Sequence, residues 1–337
     1  MNSATASATA RRDRPARRSL VNDVLPNYAV VVFLLALCVL FSALAPDLFP
    51  TWANVKSIVN NQSVPALLAL AVVLPLAAGE FDLSVGAVLG FAAIVAAKVS
   101  IAGAPVLVAV LAAVGVGALI GLVNAVLIVR VGVSAFIATL GMATVLSGGN
   151  LWLTDGSVLY QGIGEGLTTL ARTRLLGLPM IFFYLLIVGV LLWVLLERTP
   201  FGRYLTATGL GRSSARLAGV PTNYYLGAAF VLSGAIAGLA GVLQTGTVGS
   251  ASPSTGPDFL LPAYAAAFLG ATTIRRGRFN VGGTFVGVLV LAVGVSGLNL
   301  LGAPFWVAPV FNGAALLLAV SFAAIVAGRG KRGGSHA

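Results

Sequence analysis

The chain has 337 residues, 58% hydrophobic and only 9% charged, with a formal net charge of +11. An ordinary soluble domain carries about 25% charged residues, so these values exclude a water-soluble fold and imply an integral membrane protein. The positive charge is dispersed between apolar runs and forms no basic stripe with aromatics, which excludes nucleic acid as a partner.

Residues 1–26 are polar and basic, with Arg11, Arg12, Arg14, Arg17 and Arg18, and read as a disordered cytoplasmic arm. The apolar run from Tyr28 to Ala45 ends in Ala43-Leu44-Ala45, which looks like a signal-peptide cleavage site. Its 18 residues exceed the ~7–15 of a signal peptide's apolar core, so it is read as the first span. Cys38 lies in this run as a small hydrophobe, and as the only cysteine it can form no internal disulfide.

Nine more apolar segments follow, at 57–79, 83–98, 105–129, 134–153, 179–196, 223–246, 259–274, 281–301 and 306–327. Most approach the ~20 residues that a membrane-crossing helix needs. The segments 83–98 and 259–274 are short, and the second contains Pro262, so each fits a partial or re-entrant segment as well. The fold expected is an all-α polytopic membrane helix bundle of about ten transmembrane helices over 27–327. A basic cytoplasmic tail follows at 328–337. That tail holds His336, the only histidine, so a buried Cys/His metal site and a Cys–His nucleophile pair are both excluded.

Basic residues accumulate in cytoplasmic loops. With the N-terminus inside and ten spans, the inside holds the five arginines of the arm, Arg130, Arg198, Arg203, Arg212, Arg216, Arg275, Arg276, Arg278, Arg329, Lys331 and Arg332. Only Lys56, Lys98, Arg172 and Arg174 fall outside. The asymmetry supports the count and puts both termini in the cytoplasm. Gly86/Gly90, Gly117/Gly121, Gly234/Gly238 and Gly283/Gly287 have the spacing that lets helix backbones approach closely in lipid.

Three features carry mechanism. The first is "GEFDLSVG" (79–86), where Glu80 and Asp82 interrupt a strongly apolar region just after a span containing Pro65 and Pro75. Unwound backbone at membrane depth is tolerated only inside protein or along a water-filled cavity, and ionisable residues there are functional suspects. The alternative is a cytoplasmic turn in which Asp82 or Ser84 caps the third helix. The second is the loop 197–222, "ERTPFGRYLTATGLGRSSARLAGVPT". Its latter part reads as a short helix capped by Ser213 or Ser214 and stopped by Gly219 and Pro221. Two turns of helix are not stable alone, so this loop needs a surface to dock on. The third is the outside loop 247–258, small, polar and turn-rich.

In this order the features resemble the membrane permease subunit of bacterial ATP-binding-cassette importers for simple sugars, the ribose, xylose and galactose type. The stretches that carry the resemblance are "FDLSVGAVLG" (81–90), "GLVNAVLIVRVGVSAFIATLGM" (121–142) and "TPFGRYLTATG" with "ARLAGV" (199–220). "SASPSTG" (250–256), "AAAFLGATTI" (265–274) and "GLNLLG" (297–302) complete it. The chain departs from the pattern at Glu80-Phe81 (often Gly-Ile) and at Leu261-Pro262-Ala263-Tyr264 (usually Leu-Asp-Ala-Ile). It departs again at Gly270-Ala271-Thr272-Thr273 and at Asn124-Ala125.

The resemblance implies a multi-pass protein of the bacterial inner membrane that moves a pentose or hexose into the cytoplasm by alternating access. It implies a second permease chain, most simply in a homodimer. It also implies cytoplasmic ATPase subunits that carry ATP and magnesium, and an extracytoplasmic sugar-binding protein. This chain itself would be no enzyme and bind no cofactor, and it holds no Gly-x-x-x-x-Gly-Lys-Ser/Thr run that could cradle phosphates. The pathway residues expected are Asp82, Ser84, Asn124, Phe136, Thr139 and Asn150. The residues expected to couple to the ATPase are Gly202, Arg203, Arg216, Leu217, Ala218 and Gly219. The rival readings are an ion-coupled secondary transporter using Glu80 and Asp82, and a permease for branched-chain amino acids.

Overall fold

The computed structural model describes residues 28–332, with side chains as far as Ser321. The basic arm and the last five residues of the tail lie outside this range. The chain begins with α1 (Ala29–Leu44), α2 (Trp52–Ala77), α3 (Val85–Ile101) and α4 (Val106–Val126), the last extended by a π turn (Leu127–Val131). Then come α5 (Ala135–Thr154), the short α6 (Glu165–Arg172), a hairpin of β1 (Arg174–Leu175) and β2 (Leu178–Pro179), and α7 (Met180–Arg198). The remainder is α8 (Pro200–Leu210), α9 (Arg212–Leu217), α10 (Thr222–Val248), α11 (Pro257–Ala271), α12 (Val281–Leu300) and α13 (Val307–Arg332).

A helix stands at each of the ten segments read as spans. Six of them, α2, α4 with its π turn, α5, α7, α10 and α12, are long and apolar enough to cross a membrane. The apolar helices α1 and α3 and the apolar part of α13 are shorter. With 15 residues α11 reaches about 22 Å, less than the ~30 Å of a hydrocarbon core. The local chemistry that starts these helices is visible at two of them. The Thr51 hydroxyl accepts from the Asn54 amide before α2, and the Asn280 side chain accepts from the Gly283 amide before α12.

The helices form an inner and an outer set. From Ala66 to Leu76 every residue of α2 is buried, so that stretch is hydrophobic all round. Helices α3, α10, α11 and α12 complete the interior, while α4, α5 and α7 keep most of their surface outward. All four glycine pairs are places where backbones touch. A Cβ on Gly117 would run into the carbonyl of Gly234, and one on Gly234 into the carbonyl of Gly117, so α4 and α10 lie in direct backbone contact. Gly283 and Gly287 do the same for α12 against α11, and Gly86 and Gly90 for α3 against the loop at Thr255-Gly256.

The loop 197–222 differs from expectation. Its first half is helical as well as its latter part, forming α8, entered through Pro200 at a first-turn position that needs no amide. Neither Ser213 nor Ser214 caps the next helix. Gly211 stands at its start without any side-chain cap, and α9 begins at Arg212. The arginine-rich segments meet at one end of the bundle. Arg203, Arg275 and Arg278 line one cleft there, and Arg212 and Arg216 line another with Glu80.

The α4–α10 contact predicts a contrast between two alanine substitutions. Gly117→Ala should lower stability by about 1–3 kcal/mol, the usual cost of overpacking. Gly141→Ala meets nothing within 4 Å and should be neutral or stabilising by up to about 1 kcal/mol. Thermal unfolding of the two purified variants in detergent checks this.

Candidate functional site

The site is the unwound stretch between α2 and α3. Helix α2 continues through Pro65 and Pro75 and ends at Ala77. Gly79 then takes a left-handed conformation (φ 82°) that side chains with a Cβ rarely adopt. From here the backbone needs partners other than its own helix. The Glu80 amide still reaches back to the Pro75 carbonyl at 3.0 Å. The Asp82 amide donates to the Tyr264 hydroxyl at 2.9 Å, and that hydroxyl donates in turn to the Asp82 carbonyl at 2.9 Å. The Leu83 amide donates to the Thr139 hydroxyl at 3.0 Å.

Asp82 closes the break from within. Its Oδ1 accepts from the Ser84 amide at 3.0 Å and from the Ser84 hydroxyl at 2.6 Å, the short loop motif that aspartate favours. Asn124 Nδ2 donates to the Ser84 hydroxyl at 2.9 Å. A relay therefore runs from Asn124 on α4 through Ser84 to the Asp82 carboxylate. Ser84, the residue before α3, makes no side-chain cap of its own. Asp82, Ser84, Asn124 and Thr139 are all buried. The Oδ1 of Asn124 is buried without a partner.

Glu80 points elsewhere. Its Oε1 lies 3.8 Å from Nη1 of Arg212 on α9, with both side chains about one-third exposed. They border an open cleft of about 400 Å³ with the π turn, Gly132 and Ser134. Burial pushes the Glu80 carboxyl above its usual range, and the Arg212 guanidinium pulls it back. Phe81, 44% exposed, stacks on Tyr264 at 5.9 Å and on Phe268 at 6.2 Å between ring centroids.

The structure thus gathers Asp82, Ser84, Asn124 and Thr139 from the expected pathway set. It does not bring Asn150 to them. Asn150 sits eleven residues further along α5, about 16 Å at helical rise, and its Nδ2 reaches the Pro253 carbonyl at 3.4 Å. Phe136 on α5 is exposed and takes no part in the cluster. Of the coupling set, Leu217 is 92% exposed, and Ala218 and Gly219 lie open beside it. Gly202 is buried where α8 folds back on α7, and a Cβ there would run into the Leu196 backbone. Arg203 lines the cleft with Arg275 and Arg278. Arg216 spends its donors inside the chain, on the Thr222 hydroxyl (2.8 Å) and on Asn223 Oδ1 (2.5 Å).

Sequence reasoning missed Tyr264 and Arg212. The signal for Tyr264 was present: a tyrosine in an apolar helix must find a partner for its hydroxyl. Arg212 was counted only as an inside charge, because nothing local to it points at Glu80.

These features belong to a multi-pass permease of a membrane transport system. The chain belongs to the family described as branched-chain amino acid transport system / permease component, whose pattern matches residues 54–320. It is 34% identical over 307 residues to the ribose import permease of Escherichia coli strain K12, covering 90% of this chain and 95% of that protein. It is 32% identical over 291 residues to the D-allose transport system permease of the same strain, covering 86% and 89%. An autoinducer 2 import system permease of Yersinia pseudotuberculosis is 33% identical over 259 residues, 75% and 78%. No solved structure matches the chain. The protein is a multi-pass protein of the bacterial inner membrane.

Tyr264→Phe tests the break directly. It leaves the ring stacking in place and strips the Asp82 amide of its acceptor. It should cost about 1–3 kcal/mol, the price of a buried unpaired group, and speed hydrogen exchange at Asp82. Unfolding and exchange measured on the purified chain check both.

Proposed function

We propose that this chain is the membrane subunit of an ATP-binding-cassette importer that carries a monosaccharide, a pentose or hexose, into the cytoplasm. The similarity to ribose and D-allose import permeases over 86–90% of the chain carries the reading. Two copies enclose one path. Cytoplasmic ATPase subunits bind ATP and magnesium, and an extracytoplasmic binding protein delivers the sugar. This chain hydrolyses nothing.

In this mechanism ATP binding closes the ATPase pair, and the loop 197–222 passes the movement to the bundle. The exposed surface of Leu217, Ala218 and Gly219 supports a partner there, because bare apolar surface on a polar loop is unfavourable in water. The path alternates in access as the helices around the break and around Phe136 to Thr139 rock. Asp82, Ser84, Asn124 and Thr139 shape it on one side and Asn150 at the other end of α5. The unpartnered Oδ1 of Asn124 supports such a rearrangement, since a second conformation that supplies a donor recovers the cost of the missing bond.

Both rival readings need a free carboxylate, one to load a coupling ion and one to meet an ammonium group. Glu80 faces Arg212, and Asp82 is held by two bonds from Ser84. A neutral sugar needs neither.

The test is ATP hydrolysis and sugar uptake in vesicles that contain this chain, its cognate ATPase and the loaded binding protein. Wild type should stimulate hydrolysis and transport sugar. Leu217→Asp should abolish assembly with the ATPase, because it puts a charge on the docking surface. Asp82→Asn should keep assembly but cut the sugar moved per ATP about 10- to 100-fold, in line with one charge-assisted hydrogen bond of ~1.5–3 kcal/mol. Uptake that needs no ATPase and collapses with the proton gradient would overturn the reading.

A further inference from the structure

The loop 197–222 touches the unwound stretch directly, at two points. Gly209, the penultimate residue of α8, lies on the backbone of Ala77 to Gly79. A Cβ on Gly209 would run into the Ala77 carbonyl and stand 2.9 Å from the backbone of Ala78 and of Gly79. A Cβ on Gly79 would stand 3.1 Å from the Cα and carbonyl oxygen of Gly209. The two glycines therefore let the end of α8 rest on the chain where α2 unwinds.

The second point is the Glu80–Arg212 pair. Arg212 also donates through Nη2 to Asn223 Oδ1 at 3.2 Å, the atom that accepts from Arg216 as well. Helix α9 is thus fastened to the first turn of α10 by two arginines, and Arg212 alone of the two continues to the break. Leu217, at the end of the same short helix, is open to a partner. The two contacts differ in strength. The glycine contact is backbone on backbone and acts as a rigid stop. The ion pair is long and one-third exposed, so it is weak and cheap to part. The open cleft beside it leaves room for the side chains to separate.

We propose that the Glu80–Arg212 pair and the Gly79–Gly209 contact form the joint through which a subunit docked on α9 moves the break, the pair closing in one transport state and parting in the other. This deepens the importer reading and rests on it. A displacement of α9 reaches Glu80 through a single side chain, and Glu80 is two residues from Asp82. The movement therefore need not pass along any spanning helix before it alters the Asp82–Ser84–Asn124 relay.

The experiment compares wild type, Glu80→Gln, Arg212→Gln and the swap Glu80→Arg with Arg212→Glu, each with the cognate ATPase and loaded binding protein in vesicles. Each single variant should assemble and hydrolyse ATP at the wild-type rate but move about two- to fivefold less sugar per ATP, the range a one-third exposed ion pair can supply. The swap should recover the wild-type ratio. An unchanged ratio in the single variants, or a swap no better than they are, overturns the joint. Glu80→Gln leaves the Arg212–Asn223 bond intact and decides the matter if Arg212→Gln fails to assemble. A second arm uses the purified chain alone in detergent. Glu80→Gln should speed hydrogen exchange at residues 79–84 severalfold, and no change there overturns the joint. If wild-type uptake proves independent of ATP, the importer reading falls, and the exchange arm still judges the contact.

Discussion

Between Gly79 and Ser84 the backbone leaves the helix at the edge of an open cleft and re-enters the buried interior at Asp82 and Ser84. The freed amides of Glu80, Asp82, Leu83 and Ser84 are each paired, because an unpaired one costs as much as a lost hydrogen bond and more in an apolar interior. The partners come from four places in the chain: Pro75 behind, Asp82 within, Thr139 on α5 and Tyr264 on α11. The break is therefore a point where α2, α3, α4, α5 and α11 are tied together. It is an ordered irregularity, and an ordered irregularity can have two arrangements rather than a continuum of loose ones.

That convergence is possible because the helices around it approach so closely. Lipid supplies little hydrophobic drive between helices, so association depends on backbone contact and dispersion. Gly117 against Gly234 and Gly121 against Phe230 place α4 on α10, which brings Asn124 level with Ser84. Gly270 and Gly283 set α12 on α11, the helix that carries Tyr264. A side chain at any of these positions would part the helices, and the polar partners of the break would move out of reach.

Two positions where this chain departs from the sugar-permease pattern meet in space. Phe81 stands beside Tyr264, ring on ring, and Tyr264 holds the Asp82 backbone from the position where isoleucine is usual. The third, Glu80, finds its counterpart in Arg212. The substitutions at the break are compensated locally, by stacking and by an opposite charge. The Asp82–Ser84 turn is kept among them.

The sequence by itself determined the class of fold and the position of nearly every long helix. Hydropathy requires only that apolar runs be sequestered, and in a membrane protein that requirement is read residue by residue along the chain. The glycine spacing likewise announced close packing, and "GEFDLSVG" announced a break. What the sequence left open was which residues meet. Glu80 and Arg212 are 132 positions apart and Asp82 and Tyr264 are 182 apart, and no local pattern encodes such a pairing. Helix α8 is not announced by the sequence because its eleven residues, two of them glycine, have little intrinsic stability, and contact with α7, α10 and the end of α2 decides its form. Only the tertiary structure decided that the two acids of "GEFDLSVG" serve different ends. Asp82 turns inward because it can be satisfied by Ser84, and Glu80 turns outward because an arginine stands at the edge of an open cleft.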